Sequence, residues 1–138
     1  MWSFNNDKPV YAQIVDEIKL RIASGQYAPG ERIQSVRDLA EEARVNPNTM
    51  QKALSEIERD GYIISLRTSG KYITDDEKLI ESMRNSHAQH LISSFADEIN
   101  KMGISMNDAI LLLQQYCEMN SNDINNERGI DSETNQGE

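Results

Sequence analysis

The stretch Ser35-Val36-Arg37-Asp38-Leu39-Ala40-Glu41-Glu42-Ala43-Arg44-Val45-Asn46-Pro47-Asn48-Thr49-Met50 holds two helix starts in quick succession. Ser35 with Asp38 three residues on reads as a capping box, in which the serine hydroxyl accepts an otherwise unpaired backbone N–H. Val36, Leu39, Ala40 and Ala43 give the short helix that follows one apolar side. Arg44-Val45 break the period. Asn46 is a second N-cap, and Pro47 suits a first helical position, where the N–H it lacks would be unpaired anyway. Met50, Ala53, Leu54 and Ile57 form the next apolar stripe, which Gly61 closes. Two short helices separated by a tight turn make a helix-turn-helix.

Working outward, Lys8-Pro9 opens an upstream helix whose Val10, Ile14, Ile18 and Ile22 recur every fourth residue, widened by Tyr11 and Val15. Gly25 stops it, and Gln26 to Ile33 form a loop around a Pro29-Gly30 turn. Downstream, Tyr62 to Leu66 and Lys71 to Thr74 are β-prone, with Arg67-Thr68-Ser69-Gly70 as the hairpin loop between them. A hairpin directly after a helix-turn-helix is a wing. Asp75 or Asp76 can cap a longer helix carrying Leu79, Ile80, Met83, Leu91, Phe95, Ile99 and Met102, ended by Gly103. Ser105 to Asp108 repeats the capping box ahead of a strongly apolar helix from Ile110 to Met119. The fold class is therefore mainly α with a small β-hairpin wing. A winged helix-turn-helix over 8–74 precedes two C-terminal helices over 75–119. Residues 120–138 contain only Ile124 and Ile130 as large apolar side chains and read as a disordered polar tail.

The net charge of −9 is unevenly spread. Residues 1–75 carry 10 basic and 11 acidic side chains, whereas residues 76–138 carry 4 and 12. The acidity thus belongs to the second part, and the helix-turn-helix module is free to present a basic face. No apolar run approaches the ~20 residues of a membrane span, and the N-terminus has no signal-peptide pattern. The lone Cys117 cannot form an internal disulfide, so a cytoplasmic location is expected.

From residue 8 to 74 the ordered signals resemble the GntR family of bacterial regulators. They are Pro9-Val10-Tyr11-Ala12-Gln13-Ile14, Gly25 through Pro29-Gly30, Ser35-Val36-Arg37-Asp38-Leu39-Ala40, Val45-Asn46-Pro47-Asn48-Thr49, Glu58-Arg59-Asp60-Gly61-Tyr62-Ile63 and Gly70-Lys71-Tyr72-Ile73. Two positions depart from the family pattern: Gln34 stands where a proline usually precedes the serine, and Thr68 replaces the first of two wing-tip glycines. The short C-terminal part resembles the YtrA-type subfamily, whose members dimerise through a helical pair and often repress ABC-transporter operons. The resemblance implies sequence-specific binding of double-stranded operator DNA as a homodimer, with repression of the protein's own operon as the expected outcome.

The residues that would read DNA follow from groove chemistry. Asn48, Thr49, Gln51 and Lys52 lie on the side of the second helix away from Met50, Leu54 and Ile57. Asn and Gln pair bidentately with adenine, Thr offers a hydroxyl and a methyl to thymine, and Lys52 suits a phosphate. Arg37 matches the family's DNA-contacting arginine, and its fork fits phosphate or guanine; a surface ion pair with Asp38 or Glu41 is the competing use. Ser35 and Asn46 cap helices whose N-terminal amides can also receive a phosphate. Arg44 at the turn can reach a phosphate. Arg67, Thr68, Ser69, Gly70 and Lys71 make a cationic wing tip suited to the minor groove or backbone.

The second segment has more apolar surface than two helices can bury alone. Leu79, Met83, Leu91, Phe95, Ile99, Ile110, Leu111 and Leu113 are its candidate dimer contacts. A two-fold dimer would want a palindromic operator with half-sites one DNA turn, about 34 Å, apart. His87 and His90 could share a metal with Cys117, but two surface or interface histidines and a buried cysteine are the plainer reading. No nucleophile with its base, phosphate-binding glycine loop or metal motif is present, so neither an enzyme nor a cofactor is expected. Two other uses stay open: a winged-helix protein-interaction adaptor, and a sensor that takes a metal or small molecule, of unknown identity, between its C-terminal helices.

Overall fold

The computed structural model describes residues 2–133, with side chains through residue 121. It forms two compact units, Met1–His87 and Ala88–Glu138. The first unit contains α1 (Val10–Ala23), α2 (Val36–Ala43), α3 (Pro47–Arg59), β1 (Ile63–Leu66), β2 (Gly70–Ile73) and the first turns of α4 (Glu77–Lys101). The capping logic of the sequence is realised atom for atom. Ser35 Oγ accepts the Asp38 N–H at 3.1 Å, and Asn46 Oδ1 accepts the Asn48 N–H at 2.8 Å. Between these caps the turn is closed by Arg44, held left-handed at φ 58. An L-residue there stores about 1–2 kcal/mol of strain.

The strands pair antiparallel with Ile63 opposite Ile73, Ile64 opposite Tyr72, Ser65 opposite Lys71 and Leu66 opposite Gly70. Arg32 adds a bridge to Tyr72 on the outer edge of β2, supported by Ile33 N–H to Lys71 O at 3.0 Å and Ile73 N–H to Glu31 O at 2.8 Å. The loop ahead of α2 is therefore tied into the wing. The core is the sum of the stripes: Ile14, Ile18 and Ile22 from α1, Leu39 from α2, Met50, Leu54 and Ile57 from α3, and Ile63 and Ile73 from the hairpin. Each such side chain contributes about 1.5–3 kcal/mol over its exposed state.

Ile80 and Met83 of α4 join this same core. That extends the compact unit beyond Thr74, where the turn signals alone would end it, and corrects the assignment of two dimer candidates. Met83 is 8% exposed within its own chain, and half-buried Leu79 lies against Gly61. Arg84 Nε donates to the Ala23 carbonyl at 2.8 Å, placing a cation on the C-terminal end of α1, where the helix dipole favours it.

Trp2 and Phe4, which precede α1, pack on the core edge rather than standing free. Arg21 lies beneath them, 6% exposed, its guanidinium 4.3 Å from the Trp2 ring centre. Its Nε donates to Glu17 at 3.1 Å and its Nη1 to the Tyr27 hydroxyl at 3.2 Å. Removing this cation strands a carboxylate and opens the aromatic stack. Arg21→Ala is therefore expected to lower unfolding stability by about 2–3 kcal/mol, short of a fully buried pair because Glu17 keeps some solvent. Urea denaturation of the variant checks it; a loss under about 0.5 kcal/mol, the range of an ordinary surface change, would refute the role.

The second unit consists of the remainder of α4 and of α5 (Met106–Glu133). Gly103, at φ 77, turns the chain between them, and Ser105 Oγ caps α5 by accepting the Asp108 N–H at 3.2 Å. α5 runs on to Glu133 rather than ending near Met119; residues 120–133 contain no proline to break it. The last part of the segment read as a polar tail, 134–138, lies outside the described residues. Ala109 is the one buried apolar residue of this unit among the described residues. Leu91, Ile92, Phe95, Ile110, Leu111, Leu112, Leu113 and Tyr116 are all exposed. Cys117, expected to be buried, is exposed as well. No helix is long and apolar enough to cross a membrane.

Candidate nucleic-acid interface

The first turn of α3 offers what a groove-reading helix needs. Asn46, Asn48, Gln51 and Lys52 are exposed and Thr49 is half-buried, while Met50 and Leu54 turn inward and are fully buried. Because Pro47 occupies the first position and Asn46 caps the next free amide, the helix start is fixed without using the Asn48 or Thr49 side chains. These stay available to a ligand. Gln51 Nε2 donates to Ser55 Oγ at 2.9 Å, which aligns the amide along the helix. Lys52 Nζ rests 3.8 Å from the Tyr11 ring centre, so its ammonium is steered by a cation–π contact with α1.

Arg37, Arg44 and Arg67 are exposed and take part in no ion pair among the described residues. The competing surface pair of Arg37 with Asp38 or Glu41 is thus not formed. Three free guanidiniums sit on α2, on the turn into α3 and on the wing, and the N-terminal amides of α2 and α3 add their partial positive charge.

Lys71 is the exception. Its Nζ lies 3.2 Å from Glu58 of α3 and 2.8 Å from Ser65 Oγ, half-buried on the inner face of the hairpin. It is a clasp between wing and α3, not a free cation at the wing tip. Hydrogen bonding from Ser65 and then Lys71, acting against partial burial, holds the Glu58 carboxyl below its ordinary value of 4.5. The clasp therefore stabilises the fold above that value and weakens as pH falls from 4.5 through the lower folded-state value. Glu58→Gln is expected to lower the melting temperature at neutral pH, with the difference from wild type closing in that acid range. A difference that stayed constant through acidification would show that the carboxylate charge is not involved.

Sequence reasoning passed over Arg32. The alternation Glu31-Arg32-Ile33, with Ile33 buried, was the available signal of a strand stub. The structure lays the Arg32 guanidinium over Gly70, where a side chain would meet Nε at 3.2 Å and Nη2 at 3.3 Å. In the second unit, Leu91, Phe95, Ile110, Leu111 and Leu113 are exposed and Ile99 is half-buried, lining with Ala109, Leu112 and Tyr116 an almost wholly apolar cleft. His87 and His90 are exposed, and no group of three or more metal-ligating side chains occurs among the described residues.

A family model for bacterial regulatory proteins of the gntR family matches residues 10–73. A GntR family transcriptional regulator from Listeria monocytogenes has 38% sequence identity and a TM-score of 0.76, over 81% of this chain and 98% of that one. This chain belongs to the GntR family. Among its GntR relatives, the uncharacterized HTH-type transcriptional regulator YhcF of Bacillus subtilis is 28% identical over 115 residues, 83% of this chain and 95% of that protein. The HTH-type transcriptional repressor YtrA of Bacillus subtilis is 43% identical over 70 residues, 51% of this chain and 54% of YtrA. Relatives and fold alike are those of DNA-binding GntR regulators, not of enzymes.

Proposed function

We propose that this GntR protein is a YtrA-type repressor that binds a palindromic operator as a homodimer and controls its own operon, which we infer to encode an ABC transporter. The observation that carries the reading is the exposed first turn of α3. Asn48 and Thr49 are left unused by the capping there, with Arg37, Arg44 and Arg67 unpaired on the elements around it. Asn48, Thr49 and Gln51 would meet base edges; Lys52, Arg37, Arg44 and the capped helix starts at Ser35 and Asn46 would meet phosphates. Arg67, Thr68, Ser69 and Gly70 would follow the adjacent backbone or minor groove.

The dimer is supported by the exposed leucines and aromatics of α4 and α5, a contiguous apolar surface far larger than a monomer ordinarily leaves in water. Two-fold symmetry would place the two α3 helices in successive major grooves, about 34 Å apart. DNA binding places its work in the cytoplasm. A gel shift on the protein's own promoter, repeated at rising salt, tests the proposal. Binding there no tighter than to arbitrary DNA would overturn it.

A further inference from the structure

We infer that Arg32, in the loop before α2, is a phosphate-contacting residue of the wing, the role that Lys71 by its position in the sequence seemed made for. The inference rests on the DNA-binding reading above and names a contact that reading did not contain. Three observations carry it. First, the wing's own lysine is spent, since Lys71 Nζ is closed into Glu58 and Ser65 at 3.2 Å and 2.8 Å. Second, Arg32 is exposed and makes neither an ion pair nor a side-chain hydrogen bond among the described residues, so its five donors face outward without a partner. Third, it is held in place without being neutralised. Its backbone is bridged to Tyr72, and its guanidinium lies flat on Gly70, 3.2–3.3 Å from the point a Cβ would occupy.

A guanidinium fixed in this way is pre-organised for a phosphate oxygen, because little rotamer freedom remains to be lost on binding. Glycine at position 70 then has a second reason beyond its φ of 107: any side chain would displace the planar group resting on it. The cationic surface of the wing is Arg32 with Arg67, contributed by two separate segments of chain.

A contact to phosphate is independent of sequence, so the probe is a short DNA duplex of arbitrary sequence, with affinity measured by fluorescence anisotropy over a range of salt. Arg32→Ala is expected to weaken binding severalfold and to make the slope of log K against log salt shallower by about 0.9, the signature of one lost phosphate contact. Arg32→Lys should recover most of the slope, and Lys71→Ala should leave the slope unchanged, since its charge is already cancelled. Circular dichroism on each variant verifies that the hairpin remains folded. An Arg32→Ala slope equal to that of wild type would overturn the assignment, and so would a slope lost equally in Lys71→Ala. Wild-type binding that did not weaken with salt would instead overturn the DNA-binding reading, and this inference with it.

Discussion

Replacing Asn48 and Thr49 together by alanine is expected to abolish sequence-specific DNA binding while the protein stays folded and dimeric. Neither side chain holds the helix: the cap on the Asn48 amide comes from Asn46, and the packing comes from Met50, Ala53, Leu54 and Ile57. Alanine is also the best helix former, so the backbone gains if anything. What is removed is the donor–acceptor pattern offered to base edges, at about 1–3 kcal/mol for each good contact. Two residues in each of two half-sites then account for at least about a thousandfold, enough to bring operator affinity down to that for arbitrary DNA. Arg37→Ala should show a different signature, weakening operator and arbitrary DNA together if its fork holds a phosphate. Anisotropy titrations on the promoter fragment separate the cases. Operator affinity that survived both changes would place the reading face elsewhere on the molecule.

The second large effect is expected from Leu113→Asp. Leu113 is 49% exposed, on the wall of the apolar cleft with Phe95, Leu112 and Tyr116. If a second copy covers that cleft, two-fold symmetry puts the substitution into the interface twice. Each copy loses about 1.5–3 kcal/mol of apolar burial and must also bury or displace a carboxylate, so dimer affinity should fall by at least about a thousandfold. Sedimentation equilibrium should then find monomers at concentrations where wild type is dimeric, and operator binding should fail because the half-sites are no longer held together. The change lies outside the Met1–His87 unit, whose melting should be preserved. A variant that remained dimeric would mean the exposed face of α5 serves another partner.

The elements and the reading helix were legible because their signals are local. Ser35 and Asn46 cap within three residues, Pro47 marks a first turn, and the stripes of α1 and α3 show their buried side by spacing alone. The failures share one cause, which is that a sequence pattern names an apolar or charged face without naming what meets it. Leu79 and Met83 carry the same stripe as Phe95 and Ile99, yet Met83 packs into its own module and Phe95 faces solvent. Lys71 looked like a free cation because the carboxylate that cancels it, Glu58, lies thirteen residues away on another element. Arg32 was hidden for the converse reason. Its place depends on a single-residue bridge and on an atom that Gly70 lacks. Cys117 shares a helix with four leucine and isoleucine side chains and was read as buried with them, but the whole of that face is open.

The packing of Trp2 gives the molecule a native optical probe. It is the chain's sole tryptophan, its indole lies against the Arg21 guanidinium, and it shares a cleft with Glu42, Ala43 and Arg44. Indole emission responds to nearby charge, and Arg44 is the cation at the turn that leads into α3. When that guanidinium exchanges water for a DNA phosphate, the field at the ring changes. Engagement of the helix-turn-helix can therefore be followed by intrinsic fluorescence, with no dye on either the protein or the DNA.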